Sequence, residues 1–114
     1  MTTTELAGII VPTTTPFDAH GDITFSAIAE QVDWLFECGV HGIAVGGSTG
    51  EGHSLASDEY AQLIDTAVSS AKGRFPVIAG IITDSTRESV RRGQLVREMG
   101  VAALQVTPVH YLFK

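Results

Sequence analysis

"GIIVPTTTPFD", residues 8 to 18, decides between two folds. A short apolar run followed by three threonines reads as a strand leading into a loop, and that loop has no glycine. A doubly wound nucleotide-binding fold would place G-x-G-x-x-G directly after its first strand. A β/α barrel makes no such demand and builds its chemistry on the loops after several strands.

Working outward, three further apolar runs have strand length: "HGIAVG" (41 to 46), "PVIAGII" (76 to 82) and "AALQVTP" (102 to 108). Continuous runs of this kind suit strands buried on both faces. Helical patterns separate them. The first spans about Thr24 to Cys38, with Phe25, Ile28, Val32, Leu35 and Phe36 on one stripe and Gly39 as its stop. The second follows "SDE" at 57 to 59, whose acids suit a helix N-terminus, and carries Leu63, Ile64, Ala67, Val68 and Ala71 before Gly73. The third opens on "STRE" at 85 to 88, a capping-box spelling, and ends at Met99 before Gly100. This order means right-handed βαβ units and a parallel sheet. The expected fold class is α/β, of the (β/α)8 TIM-barrel type. Residues 1–114 would cover about the first four strands and three helices, one incomplete barrel domain, since a whole barrel needs about 250 residues.

Composition narrows the partners. An apolar content of 44% with 18% charged residues fits a folded globular chain. Thirteen acids against seven bases give a net charge of -6, which repels nucleic-acid phosphates and anionic membrane surfaces. Cys38 is the single cysteine, so no internal disulfide can form and a reducing compartment fits best. No apolar stretch approaches the roughly 20 residues of a membrane span, and the N-terminus lacks the basic start of a signal peptide. A cytoplasmic protein is expected, with neither nucleic acid nor membrane as partner.

The richest loop, "VGGSTGEGH" (45 to 53), falls at the carboxyl end of the second strand. Gly46, Gly47 and Gly50 allow close backbone approach, and Ser48 and Thr49 each offer a hydroxyl, a set that suits a small carboxylate. Phosphate is the rival ligand, but a P-loop needs lysine where Glu51 stands. A ligand-free glycine turn is the third reading. "TTTPF" (13 to 17) and "TPVHY" (107 to 111) add hydroxyls, an imidazole and a phenol at the same end of the sheet. Elsewhere the chemistry thins out. Cys38 and His41 have no partner pair at metal-ligand spacing, so no metal is expected. The arginines at 87, 91, 92 and 97 read as a solvated outer face of the third helix, His20 and His53 as loop-surface residues, and Glu51 as a carboxylate that bonds backbone amides to fix the loop.

Taken together, "TTTPF", "CGVHGIAVGGSTGEGHSL" (38 to 55), "PVIAGI" (76 to 81) with "STRES" (85 to 89), and "VTPVHY" (106 to 111) resemble the dihydrodipicolinate synthase and N-acetylneuraminate lyase family of Schiff-base aldolases. The resemblance covers essentially the whole chain, and "GGSTGE" is similar to the lyase branch. It implies a full barrel that assembles as a homo-oligomer, a tetramer in the intact family protein. It also implies a class I aldolase chemistry, in which a lysine forms an imine with pyruvate or another 2-oxo acid and a carbon-carbon bond is made or broken. Gly47, Ser48 and Thr49 would bind the 2-oxo acid's carboxylate, Ser48 would also stand near the proton relay, and no cofactor is required. The family's relay tyrosine follows its T-P dipeptide by two residues. Here that place holds His110, with Tyr111 next, and either could take the role.

The family's imine lysine and a second proton-shuttling tyrosine lie on later strands, beyond Lys114. Lys72 precedes the third strand and Lys114 is terminal, so neither is placed to act as the nucleophile. The expectation is the N-terminal part of a pyruvate-type lyase, inactive as these 114 residues alone. The alternatives are a non-catalytic half-barrel that self-associates to cover its edges, or a phosphate-binding half-barrel.

Overall fold

The computed structural model of the chain describes residues 6–108. Four strands and three helices alternate: β1 (Ile10–Pro12), α1 (Phe25–Glu37), β2 (Gly42–Val45), α2 (Ser57–Ala71), β3 (Val77–Ile81), α3 (Thr86–Val96) and β4 (Ala103–Val106). All pairings are parallel and the sheet order is β1-β2-β3-β4. Strands laid down in sequence order, with no reversal, are the arrangement of a barrel wall and not of a doubly wound sheet.

Side-chain alternation along each strand then divides the two faces. Ile43, Val45, Val77, Ala79 and Ile81 point to the helices and join one core with Ile28 and Val32 of α1, Leu63, Ile64 and Ala67 of α2, and Val96 of α3. Fully burying an aliphatic side chain of this kind contributes about 1.5–3 kcal/mol. The opposite face carries Pro12, Ala44, Ile78 and Ala103, which stand in register across the four strands. That row of small and branched side chains lies on the face turned away from the described helices.

The helix boundaries follow their local signals. α1 is flanked by Thr24 and Cys38 and stops where Gly39 takes a φ of 85°, open to glycine at little cost. At α3 the Ser85 hydroxyl accepts from Glu88 N–H, which is half of a capping box. The other half appears at α2, where the Glu59 carboxylate accepts from Ala56 N–H. α3 ends at Val96, earlier than Met99, because the chain tightens there and Met99 N–H bonds to the Val96 carbonyl.

Two expectations of burial need correction. β2 and β3 are buried throughout, but β1 is only partly buried and β4 is largely exposed. They are the edges of the described sheet, so Leu104 and Val106 beside α3 are covered only in part, at 43% and 55% exposure. Among the described residues, no helix is long and apolar enough to cross a membrane.

Candidate active site

The site begins where β2 ends. Gly46 follows Val45 with a φ of 76°, a backbone turn that a side chain would strain, and directs residues 47–50 across the carboxyl ends of the strands. Beneath that turn lies a cavity of about 250 Å³. Gly47, Ser48, Thr49 and Gly50 form one wall, above Pro12 and Ala44. Gln105 of β4 and Thr107 just beyond it form the other. The volume lies just below the usual range for drug-sized ligands, so it suits a molecule of a few heavy atoms.

The glycines of the loop serve different ends. A Cβ at Gly50 would come within 3.1 Å of the Thr13 carbonyl oxygen, a tight fit that favours the absence of a side chain there. A Cβ at Gly47 would meet nothing nearer than the Cα of Gly80 at 3.9 Å. No protein atom therefore forbids a side chain at 47, and a bare backbone there leaves room against the cavity. Ser48 and Thr49 are exposed on the same wall.

The threonines after β1 act otherwise than expected. Thr15 donates its hydroxyl to the Gly50 carbonyl at 2.6 Å, and Thr13 donates to the Ala44 carbonyl at 3.4 Å, both in buried surroundings. Thr14 accepts from Gln31. These hydroxyls are spent on the scaffold, two of them on backbone that borders the cavity.

A second correction concerns Arg92. Its neighbours Arg87, Arg91 and Arg97 are exposed, but Arg92 is buried and turns inward. Its guanidinium donates to the carbonyls of Gly52 and Leu55, each at 2.7 Å, and stacks 4.5 Å from the centre of the Tyr60 ring. The phenol of Tyr60, buried in the core, donates to the Gly80 carbonyl at 2.6 Å. Burial pushes the Tyr60 phenol up to about 12, with Arg92 pulling the other way, so it remains a neutral donor.

The remaining candidates fall away from the cavity. Glu51 adopts a left-handed φ of 57° and is exposed, and no backbone amide among the described residues bonds to its carboxylate. Lys72 caps the far end of α2, ahead of β3. His41, also at that end, accepts from Ile9 N–H through Nδ1 at 2.9 Å and so ties β1 to β2. No metal-ligand cluster occurs among the described residues. His110 and Tyr111 lie outside the described residues. Gln105 escaped the sequence reading, although a lone polar residue inside an apolar strand was the available signal.

The profile of the dihydrodipicolinate synthetase family matches residues 5–114. The chain belongs to the dihydrodipicolinate synthetase family. Among curated relatives of the chain is the 4-hydroxy-tetrahydrodipicolinate synthase of Pseudomonas aeruginosa, 40% identical over 106 residues that make up 92% of this chain and 36% of the relative. The chain thus spans about a third of the length of the relatives it matches. Among solved structures, the chloride-inhibited dihydrodipicolinate synthase of Acinetobacter baumannii, complexed with pyruvate, superposes with a TM-score of 0.89 at 30% identity, over 94% of this chain and 37% of that one. The N-acetylneuraminate lyase of Proteus mirabilis superposes with a TM-score of 0.85 at 25% identity, over 90% and 35%. The four-stranded parallel sheet with its three helices therefore corresponds to the N-terminal portion of the family's barrel.

Proposed function

We propose that the chain is the N-terminal part of a pyruvate-type class I aldolase, and that its cavity holds the carboxylate of a 2-oxo acid. The observation that carries this reading is the wall made by Gly47, Ser48 and Thr49 at the carboxyl ends of the strands. It offers hydroxyl donors and bare backbone to a small anion. The pyruvate complex of the Acinetobacter baumannii relative supports the same ligand class.

In this reaction a lysine from the remainder of the barrel adds its amine to the ketone carbon of the 2-oxo acid. Water leaves as the imine forms. The adjacent carbon then gives up a proton to a base, and the resulting enamine adds to the carbonyl carbon of the second reactant, whose oxygen takes up a proton. Cleavage of the carbon-carbon bond runs through the same steps in reverse. Ser48, exposed on the cavity wall, would hold the carboxylate and pass a proton, with His110 or Tyr111 completing the relay. A cytoplasmic setting and a homotetramer of the intact protein belong to the same reading.

Phosphate is disfavoured, because no lysine or arginine lines the described cavity and Arg92 is already engaged with carbonyls. Exposed Ile9 on one edge of the sheet and Val106 on the other favour a second reading, a self-associating half-barrel without catalysis. Sedimentation of the 114-residue chain as a folded 12.1 kDa monomer would exclude it.

The deciding experiment is an intact mass after incubating the protein carrying this chain with pyruvate and borohydride. One reduced pyruvate adduct per chain is expected. An intact protein of the relatives' length that gives no adduct would refute the aldolase reading.

A further inference from the structure

We infer that Arg92 and Tyr60 are positioning residues for the carboxylate wall, holding the backbone of residues 46–55 from behind so that Gly47, Ser48 and Thr49 keep their places. The inference rests on the reading of the cavity as a 2-oxo acid site. Neither side chain lines the cavity.

The loop is held at several points. Arg92 reaches from α3 to the carbonyls of Gly52, which opens a 3-10 turn (Gly52–Ser54), and of Leu55, which follows it. Its planar fork spans both acceptors, which a single ammonium matches poorly. Its Nε has no hydrogen-bond partner among the described residues, and the Glu88 carboxylate stands 3.9 Å away. The cation is therefore kept inside by backbone carbonyls and the face of Tyr60 more than by an acid.

Tyr60 carries the constraint to the cavity. Its ring edge lies 3.0 Å from where a Gly46 Cβ would stand, and its hydroxyl fixes the carbonyl of Gly80. Gly80 in turn packs against Gly47, since a Cβ on Gly80 would fall 2.5 Å from the Gly47 nitrogen. A chain of direct contacts thus runs from Arg92 through Tyr60 and Gly80 to Gly47. A shift of Arg92 that frees the Gly52 carbonyl also slackens the Gly52 N–H bond to the Gly47 carbonyl, at 3.0 Å.

The test uses Arg92→Lys, Arg92→Met and Tyr60→Phe in the intact protein, with Arg91→Met as control because Arg91 is exposed on the same helix. Hydrogen exchange read by mass spectrometry should speed up about tenfold or more at residues 46–55 in the first three, and not in the control. Borohydride trapping should show half-saturation by pyruvate rising several-fold in Arg92→Lys and Tyr60→Phe, with half-saturation by methyl pyruvate, a ketone lacking the carboxylate, unchanged. A merely structural role would weaken both ketones alike or only lower the unfolding temperature. Unchanged exchange at 46–55 in Tyr60→Phe and Arg92→Lys would overturn the inference, as would an unaltered pyruvate preference. If the parent protein traps no pyruvate, the aldolase reading falls while loop exchange still decides whether Arg92 and Tyr60 hold the wall.

Discussion

Gly80→Ala adds one methyl group at the point where the sheet meets the loop that follows β2. The new Cβ would stand 2.5 Å from the Gly47 nitrogen, 2.6 Å from the Gly47 Cα and 3.0 Å from the Gly46 carbonyl carbon. Non-bonded carbons prefer about 3.5–4.0 Å, so one partner must yield by about 1 Å. β3 cannot easily retreat, because it is buried throughout and Gly80 is paired in register with Gln105. The loop is left to move. Overpacking of this kind costs about 1–3 kcal/mol, and a misplacement of about 1 Å at a reacting site can cost on the order of a hundredfold in rate. Gly93→Ala is the counterpart. Its Cβ would meet the tips of two flexible side chains, Leu104 at 3.3 Å and Ile81 at 3.7 Å, and α3 would gain the helix preference of alanine. That change should stabilise by about 0.5–1 kcal/mol. Urea unfolding and the rate of borohydride trapping with pyruvate measure both variants. A Gly80→Ala protein as stable and as reactive as its parent would refute the claim that Gly47 is seated on β3.

Thr15→Val keeps the shape but leaves the buried Gly50 carbonyl without its 2.6 Å donor, and should lower stability by about 1–3 kcal/mol in urea unfolding. Tyr60 releases its proton near 10.0 when unfolded and at about 12 when folded. Its contribution is therefore complete below about pH 10 and disappears as the pH climbs through about 12, a loss that Tyr60→Phe should abolish in base-unfolding curves. The opposite sign holds at Asp33, whose carboxyl is held below 3.8 chiefly by its hydrogen bond from Arg74. That contribution is present above the ordinary carboxylate range and disappears in acid. NMR titration should place the Asp33 midpoint below 3.8, and Arg74→Met should restore it.

Much of this architecture was legible because it follows local rules. Apolar runs of four or five residues can only be strands when helical stripes and stop signals surround them, and the observed strands fall inside the stretches so marked. The grouping of Gly47, Ser48 and Thr49 on one cavity wall was legible too, since they come from one loop. Arg92 was misread because four arginines on one helix suggest a wet face. It stands four residues before buried Val96, though, and helical periodicity puts the two on the same side. The threonines after β1 show the limit of reading by residue type: a hydroxyl at a strand end can serve a ligand or a neighbouring carbonyl, and only the packing of β1 beside the loop chose the carbonyl for Thr13 and Thr15. The exposure of β4 reflects its position at the sheet's edge, which strand composition does not encode.

The described cavity wall consists of glycine, serine, threonine, glutamine, alanine and proline, none of which ionises around neutrality. On the proposed reading, the grip of such a wall on an anion comes from dipoles fixed in place by the fold, and has the same strength in mild acid as in mild base. An enzyme built on such a wall adjusts its working pH through the amine and proton carriers that stand outside the wall. The pH optimum can then drift from one relative to another while the wall itself stays unaltered.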